Sequence, residues 1–493
     1  MMTVADARML VLRANQQESH GRLSEPSLPL RELAGRGGGK GGREAPALHL
    51  AHWLATPDSS VHRSAVDAMA GLRLIPPKPS NFSSPVQVSI ADVQAARLRI
   101  AGAVLVSPCP ESIPLGEVTG CRVFCKLENL QRTGSFKERG ARNALAQLHA
   151  DQRQRGVVAA SAGNHALGLA YHGKLLGIPV KVVMPKSAPL VKVSTCRRLG
   201  AQVELAGNSF AEAQARAHEL AARDGLTYIH GYDDPAIIAG QGTLGLEVLE
   251  QVPKVDALVV PVGGGGLLAG IAVAVKTLRP DVVLVGVEPA GAAKLPAACE
   301  RNAPVQIRCQ PTLADGLAVP DIGGNALPLL RERVDKLLTV SEDEIALAIL
   351  RIVELEKMIV EGAGATGLAA LLAGKLPELA GKRVVLPFCG GNIDPAILSR
   401  VIEKGLVADG RLCRFTAVIS DRPGGLAGLT RLIAEAGASV REIEHERAFA
   451  GPDVFAVSVL VTIETRDREH LEELFALLER EHVRFSRPAN GPR

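Results

Sequence analysis

Residues 257–278 read ALVVPVGGGGLLAGIAVAVKTL, an apolar run interrupted by four consecutive glycines. No charged residue lies between Asp256 and Lys276, which is nearly the length of a membrane-spanning helix. Pro261 and the four glycines at 263–266 argue against a spanning helix, because irregular backbone in lipid leaves amide groups unpaired. The stretch therefore predicts a buried strand, a glycine loop and a buried helix.

The same pattern of strand, turn and helix recurs on both sides of this stretch. Short apolar runs predict strands, and they alternate with segments of helical periodicity. Such alternation requires crossover connections, so we predict parallel sheets in a doubly wound α/β fold. The predicted strands are 123–126, 157–160, 180–184, 202–205, 257–261, 282–287 and 384–388, and predicted helices include 90–101, 136–148, 188–199, 209–224 and one from His165.

The last part of the chain follows a different order of elements. Strands at 414–420, 439–447, 454–463 and 483–486 and helices at 426–436 and 468–480 give the order βαββαβ. This order predicts a small separate α+β domain. We place the domains at 1–86, 87–406 and 411–490.

Residues 1–86 are expected to form a flexible extension. The run GRGGGKGGR at 35–43 cannot bury apolar surface. The extension has no clear apolar segment followed by a cleavage site, so we predict no secretory signal. A transit peptide, a dispensable extension and a true start at Met69 all stay open, although four glutamates count against the transit peptide.

The composition of the 493 residues suits an α/β protein with large cores. Hydrophobic residues make up 47% and charged residues 22% of the chain. The net charge is only +4, and no patch interleaves basic with aromatic residues, which argues against a nucleic-acid-binding protein. Eight cysteines without a CxxC pair predict neither a zinc site nor disulfides, and they favour a reducing, cytoplasmic compartment.

A lysine follows a Gly-Ser turn in the segment TGSFKERG at 133–140. Lys137 would stand at the start of a helix, where the positive end of the helix dipole lowers the cost of a neutral amine. The neutral amine is the form that attacks an aldehyde. A solvated surface lysine is the ordinary alternative for any single lysine.

Three further segments follow predicted strands. SAGNHA at 161–166 opens a helix, so its amides and Asn164 could point into the crevice at the strand ends. The glycines at 263–266 allow backbone amides to converge on an anion, but they match neither nucleotide-binding glycine motif. CGGN at 389–392 is the third segment. The ordinary alternatives are a capped turn, a flexible loop and a buried structural cysteine.

In this order and spacing, the four segments resemble the fold-type II pyridoxal-phosphate enzymes, most closely the threonine and serine dehydratases. The resemblance covers about residues 97–405 and implies two doubly wound parallel-sheet subdomains. It implies a Schiff base between Lys137 and pyridoxal 5'-phosphate. The residues implied to contact the cofactor are Phe136 on one ring face, Asn164 at the ring hydroxyl, Gly263, Gly264, Gly265 and Gly266 at the phosphate, Cys389 opposite the pyridine nitrogen, and Glu361 near the cofactor.

The resemblance also implies a substrate and a reaction. The backbone amides of the turn Ser161, Ala162, Gly163, Asn164 and His165 would bind an amino-acid carboxylate. The implied reaction is β-elimination of water from L-threonine, giving 2-oxobutanoate for isoleucine synthesis and ammonia, and from L-serine, giving pyruvate. A serine-preferring dehydratase, a serine racemase and a non-catalytic amino-acid sensor stay open, although an intact Lys137 and glycine loop argue against a sensor.

Two departures from related enzymes bear on these expectations. Serine racemases carry a serine base where this chain has Ala162, which favours elimination on one face over racemisation. Some relatives bind a divalent cation through an acid like Glu288 and a second acid, but Lys294 stands at the second position, so no metal is predicted.

The tail also resembles a known class of domain. Its segment 421–426 resembles the first strand–helix turn of ACT regulatory domains, which bind amino acids, often across a dimer interface. An amino-acid effector and a role in assembly alone stay open. We expect a homodimer or homotetramer, with no nucleic-acid or membrane partner.

Overall fold

The computed structural model describes residues 88–188, 190–446 and 455–487. The predicted extension at 1–86 lies outside the described residues, as does the segment 447–454, where two predicted strands end and begin. Within the described part, no helix has the length and apolar character needed to cross a membrane. The uncharged stretch after Asp256 is instead a strand, a loop and a helix, as predicted.

The described strands divide between two groups of sheets. The strands that precede residue 390 are β1 (Glu111–Ser112), β2 (Arg122–Lys126), β3 (Val157–Ala160), β4 (Val180–Met184), β5 (Gln202–Leu205), β6 (Thr227–Tyr228), β7 (Ala257–Pro261), β8 (Val283–Pro289), β9 (Lys336–Val340) and β10 (Arg383–Pro387). The later strands are β11 (Leu412–Ser420), β12 (Ser439–Glu446), β13 (Ala456–Glu464) and β14 (Arg484–Ser486).

The α-helices of the described residues alternate with these strands. They are α1 (Ile90–Ile100), α2 (Ile113–Thr119), α3 (Lys137–Ala146), α4 (Ala150–Arg155), α5 (Asn164–Leu176), α6 (Leu190–Arg198), α7 (Phe210–Asp224), α8 (Pro235–Gln251), α9 (Gly266–Leu278), α10 (Leu295–Arg301), α11 (Ala326–Arg333), α12 (Glu342–Arg351), α13 (Gly362–Leu372), α14 (Pro395–Ala408), α15 (Gly425–Glu435) and α16 (Arg468–Arg480).

Two parallel sheets form the part of the chain that precedes β11. The larger has the strand order β1-β2-β10-β7-β8-β9, and only the short edge strand β1 runs antiparallel to its neighbour. The smaller has the order β5-β4-β3-β6 and is parallel throughout. The prediction of a doubly wound α/β fold with two parallel sheets is confirmed.

Local sequence explains where several helices begin. Ser89 caps α1 and forms a capping box with Asp92, and Ser209 and Asp234 cap α7 and α8 through their side-chain oxygens. The helix α9 is buried from Gly266 to Val275 because it packs between the larger sheet and α8. Its sequence therefore carries no polar face and no charge before Lys276.

The tail forms the predicted βαββαβ unit. Its antiparallel sheet has the order β12-β13-β11-β14, and α15 and α16 cover one face. Phe415, Phe475 and Phe485 meet in its core, where the rings of Phe475 and Phe485 stack with centroids 5.2 Å apart. An ion cluster of Arg351, Glu354, Asp409 and Arg411 ties the start of this unit to the end of α12.

A fully buried network of charges lies beneath the start of α3. Arg139 donates to Glu128 and Glu247, with its nearest oxygen contact to Glu247 at 2.6 Å. Lys126 donates to Glu247 at 2.6 Å and to the carbonyl of Ser107 at 2.6 Å. Two cations balance two carboxylates, so each charge keeps partners although it is removed from water. The network fixes α3 only two residues from Lys137.

Replacing Arg139 by Met should destabilise the protein strongly. The change leaves Glu128 buried without its guanidinium partner, and removal of one member of a buried pair costs about 3–5 kcal/mol. Urea unfolding followed by circular dichroism measures the loss. Arg97→Met is the matched control, because the Arg97–Glu250 pair is about half exposed and such pairs contribute under about 1 kcal/mol. Equal midpoints for the two variants would contradict this account.

Candidate active site

One cavity of about 350 Å³ lies at the carboxyl ends of strands from both parallel sheets. In such sheets, the crevice outside the carboxyl ends of the strands is the usual place for a ligand. The structure brings every candidate residue predicted from the sequence to this cavity. Its lining includes Phe136, Lys137, Ser161, Ala162, Gly163, Asn164, His165, Gly263, Gly264, Gly265, Gly266, Glu361 and Cys389.

Lys137 is the first residue of α3 and extends along the cavity wall. Its Nζ donates to the carbonyl of Gly231 at 2.7 Å and lies 5.1 Å from the ring centroid of Phe136. Burial of the amine lowers the pKa of Lys137 to about 8, although the nearby Cys389 and Glu361 favour the charged form. A substantial fraction of the amine is therefore neutral, and nucleophilic, near neutral pH.

The loop that precedes Lys137 runs beside the loop that follows β10. Phe136 N donates to the carbonyl of Cys389 at 3.0 Å, and Gly391 N donates to the carbonyl of Gly134 at 3.0 Å. Gly134 has a φ of 74°, a backbone conformation that glycine adopts without strain. Because β2 and β10 are neighbours in the larger sheet, the sheet itself brings these two loops together.

The glycine loop between β7 and α9 forms a close-fitting anion cradle. A Cβ at Gly264 would collide with the ring of Tyr232, and a Cβ at Gly266 would collide with the Tyr232 carbonyl. Gly265 has a φ of 92° and directly precedes the first residue of α9. The backbone amides at the start of this helix and the positive end of its dipole favour an anion such as a phosphate.

Asn164 opens α5 and lies between two polar side chains. Its Nδ2 donates to Glu361 Oε1 at 2.7 Å, and its Oδ1 accepts from Asn392 Nδ2 at 2.9 Å. Burial raises the pKa of Glu361 to about 7, and the charge of Asp315 adds to the effect. Glu361 is therefore a carboxyl group that titrates near neutral pH inside the cavity wall.

Cys389 follows β10 and is buried. Its Sγ donates to the carbonyl of Pro387 at 3.3 Å, and burial raises the pKa of the thiol well above its usual value. The side chain is thus a neutral thiol, which cannot hold a proton on a pyridine nitrogen as a carboxylate would.

Two histidines line the cavity as neutral imidazoles. His165 Nε2 lies 3.2 Å from the carbonyl of Ile229, and burial lowers the pKa of His165 to about 3. His230 Nδ1 accepts from the backbone amide of Asp233 at 2.9 Å, and burial lowers the pKa of His230 to about 4. The sequence analysis missed His230, Gly231 and Tyr232. The segment that holds them matches no motif, and only its position before Asp234, the cap of α8, indicates a turn.

The cavity rim holds an ion pair that sequence reasoning also missed. Lys192 Nζ on α6 lies 3.1 Å from Asp315 Oδ2, which belongs to a short turn beside the glycine loop. The pair connects the helices of the smaller sheet to the larger-sheet side of the cavity. Because the lysine and the aspartate are more than a hundred residues apart in the chain, no sequence pattern indicates that they are in contact.

Glu288 and Lys294 form a buried ion pair near the end of β8. Lys294 Nζ lies 3.1 Å from Glu288 Oε1, and the backbone amides of Lys294 and Leu295 also donate to this carboxylate. Lys294 is thus in direct contact with Glu288, the acid that corresponds to a cation ligand in some relatives. Among the described residues, no group of three or more His, Cys, Asp or Glu side chains is arranged to hold a metal ion.

Comparison with known proteins identifies the family that this fold and cavity define. The family model of the pyridoxal-phosphate dependent enzymes matches residues 100–390, and the ACT domain model matches residues 417–479. The chain belongs to the family of pyridoxal-phosphate dependent enzymes, and it carries a C-terminal ACT domain. The predicted family, the fold-type II architecture and the cofactor are confirmed.

Individual relatives cover most of the chain. An L-threonine ammonia-lyase of Thermotoga maritima is 43% identical over 79% of this chain and 97% of its own length. The solved structure of the processed form of threonine deaminase isoform 2 from Solanum lycopersicum has a TM-score of 0.62 at 34% identity, covering 67% of this chain and 99% of that one. A serine racemase from Dictyostelium discoideum has a TM-score of 0.59 at 35% identity, covering 63% of this chain and 100% of that one.

The raised pKa of Glu361 predicts a pH-dependent loss of stability in the cofactor-free protein. In the folded state this carboxyl keeps its proton up to about pH 7, whereas in the unfolded chain it releases it near pH 4.5. Between these values the folded state binds more protons, so its stability falls as pH rises. Glu361→Gln should remove this part of the loss.

Unfolding midpoints of the wild type and Glu361→Gln at pH 5 and pH 8 test this prediction. The gap between the two pH values should be smaller in the variant. Glu332→Gln, which changes an exposed carboxyl, is the control and should leave the gap unchanged. A gap that is the same in all three proteins would disprove the role of Glu361.

Proposed function

We propose that this chain is an L-threonine ammonia-lyase that converts L-threonine to 2-oxobutanoate and ammonia, and that also converts L-serine to pyruvate and ammonia. The observation that carries the proposal is that one cavity holds three groups: the amine of Lys137, whose pKa is lowered by burial, the glycine loop at 263–266, which suits an anion, and the start of α5, which suits a carboxylate. The names of relatives at 43% identity over most of the chain support threonine as the substrate.

The described residues fit pyridoxal phosphate. The backbone amides of Gly263–Gly266 suit the phosphate, and side chains at Gly264 and Gly266 would collide with Tyr232. The amine of Lys137 suits a Schiff base, and the cavity of about 350 Å³ has room for an aromatic ring beside a small amino acid. When bound, the cofactor supplies an aldehyde that condenses with amines and a ring that withdraws electrons from the substrate Cα.

Lys137 carries the proton transfer in this proposal. With the cofactor and substrate bound, the amine of Lys137 would be the group that removes the Cα proton. In the cofactor-free cavity burial lowers the pKa of Lys137 to about 8, towards the neutral range in which a general base is effective. The neutral thiol of Cys389 favours elimination over reactions that need a protonated ring nitrogen.

The turn Ser161–His165 orients the substrate for that transfer. The backbone amides at the start of α5 are suited to bind the substrate carboxylate. Ala162 has no group that can exchange a proton, so no base at this position serves the opposite face of Cα. When Lys137 takes the Cα proton, the electron pair of the C–H bond forms the Cα–Cβ double bond and the Cβ–O bond breaks. The hydroxyl would leave as water with the proton returned by the Lys137 ammonium, and addition of water to the released enamine gives the 2-oxo acid and ammonia.

Three finer features complete the proposal. The catalytic domain is taken as 87–406 and the regulatory domain as 411–490, which enclose the two family matches. The ACT domain is taken to bind an amino-acid effector, and the exposed edge strand β12 suits pairing in a homodimer or homotetramer. The eight free cysteines support a cytoplasmic location.

Lys137→Ala should abolish turnover of L-threonine. Loss of both the covalent anchor and the base is expected to reduce kcat by about a thousandfold or more. Ammonia and 2-oxobutanoate are measured after addition of L-threonine to the cofactor-loaded protein. Lys174→Ala, which changes an exposed lysine at the end of α5, is the control and should keep full activity. A cofactor-loaded wild type that releases no ammonia would refute the proposed function.

Ala162 predicts that the enzyme does not racemise serine. Serine recovered from a partial reaction of the wild type should be L-serine only, as chiral chromatography measures. Ala162→Ser introduces a hydroxyl on the opposite face and should give detectable D-serine, while Ala222→Ser on the exposed side of α7 should not. D-serine produced by the wild type would favour the racemase alternative instead.

A further inference from the structure

Asn392 connects two loops that meet from different sheets. Its Nδ2 donates to the carbonyl of Thr133 at 2.7 Å and to Asn164 Oδ1 at 2.9 Å. Thr133 lies on the loop that leads to Lys137, and Asn164 opens α5 behind the smaller sheet. Asn392 is the last residue of the CGGN segment at 389–392.

The backbone carbonyl of Thr133 fixes the orientation of both amides. A carbonyl can only accept, so the group of Asn392 that faces it must be the NH₂ group. The same NH₂ group then faces the oxygen of Asn164, which turns the NH₂ group of Asn164 towards Glu361 Oε1 at 2.7 Å. The backbone amide of Asn392 also hydrogen-bonds to Glu361. One backbone oxygen thus sets the orientation of two amide side chains along a chain that ends at Glu361.

The neighbouring backbone leaves room for this arrangement. A Cβ at Gly134 would lie 2.6 Å from Asn392 Oδ1, so a larger residue there would displace the amide. The loops on either side are held independently of Asn392, through Phe136 N to the Cys389 carbonyl and Gly391 N to the Gly134 carbonyl. Loss of the Asn392 side chain should therefore change the orientation of Asn164 without unfolding the loops.

We propose that Asn392 is a positioning residue. It holds the amide of Asn164 in the orientation needed to contact the bound cofactor and substrate. It acts through Asn164 and has no direct part in the chemistry. Without the Asn392 side chain, the Asn164 amide can rotate by half a turn. Its oxygen would then take the position that its NH₂ group now occupies beside Glu361. This inference deepens the proposed function and rests on it for the kinetic readout, whereas its spectroscopic readout needs only the bound cofactor.

A double-mutant cycle of Asn392→Ala, Asn164→Ala and the double variant tests the proposal. We expect Asn392→Ala to bind pyridoxal phosphate, to shift its absorption maximum, and to lower kcat/KM for L-threonine about 10- to 100-fold, because misplaced groups cost about that much. In the Asn164→Ala background the same change should have almost no further effect, since residues that act through one contact are not additive. Asn392→Asp should reproduce the defect, because it removes the donor but keeps the shape.

Asn129→Ala is the matched control. Asn129 lies beside Gly391 and donates to the Ile359 carbonyl at 3.4 Å, but its side chain does not hydrogen-bond to Asn164, so Asn129→Ala should leave the spectrum and kcat/KM unchanged. The proposal is overturned if Asn392→Ala keeps the wild-type spectrum and kinetics, or if its effect is fully additive with Asn164→Ala. A wild type without activity on threonine would refute the proposed function alone, because the absorption spectra of the four proteins still decide the role of Asn392.

Discussion

Removal of the Lys137 amine from water is the physical constraint on which the site depends. An ammonium in bulk water is almost fully charged at neutral pH and cannot act as a nucleophile or a base. At the start of α3 the amine has a carbonyl acceptor, Gly231, and burial lowers its pKa to about 8. Burial therefore favours the neutral amine, which is the form that attacks an aldehyde. The surrounding protein must hold this unfavourable arrangement in place.

The scaffold supplies that support from charges that never reach the cavity. Arg139, two residues after Lys137, is locked between Glu128 and Glu247, so α3 cannot shift towards water. Around the amine, Cys389, His165 and His230 are neutral because burial opposes their charged forms. The network below α3 balances its own charges, while the cavity wall around Lys137 offers the neutral groups of Cys389, His165 and His230 and the carboxyl of Glu361, whose pKa is raised by burial.

The sequence predicted most of the fold and of the site wherever the signal was local. Short runs with strand-like patterning predicted β3, β4, β5 and β7 with the bounds that the structure has. Three of the four segments were brought together by strand adjacency, since β2, β10 and β7 are neighbours in the larger sheet, whereas the segment 161–166 follows β3 of the smaller sheet. The elements from α10 to α14 were not predicted, apart from β10. The partly exposed strand β9 lacks a clear alternation of buried and exposed residues. The helix α12 does begin with a capping box of Ser341 and Glu344, a signal that was not used.

What the sequence could not predict are contacts between distant residues. The acceptor Gly231, the rim pair of Lys192 with Asp315 and the orientation chain from Thr133 through Asn392 depend on tertiary packing of loops from different sheets. The position of Lys137 at a helix start was predicted, but the main cause of its lowered pKa is burial, and the sequence alone pointed to the helix dipole.

The central claim is that Lys137 is the residue that holds the cofactor. Borohydride reduction of the protein loaded with pyridoxal phosphate, followed by peptide mass spectrometry, tests it most directly. We expect one modified peptide that contains residues 133–140, with the reduced cofactor on Lys137, and no such label in Lys137→Ala. A label on another lysine at equal yield, or labelling that persists at the same level in Lys137→Ala, would contradict it.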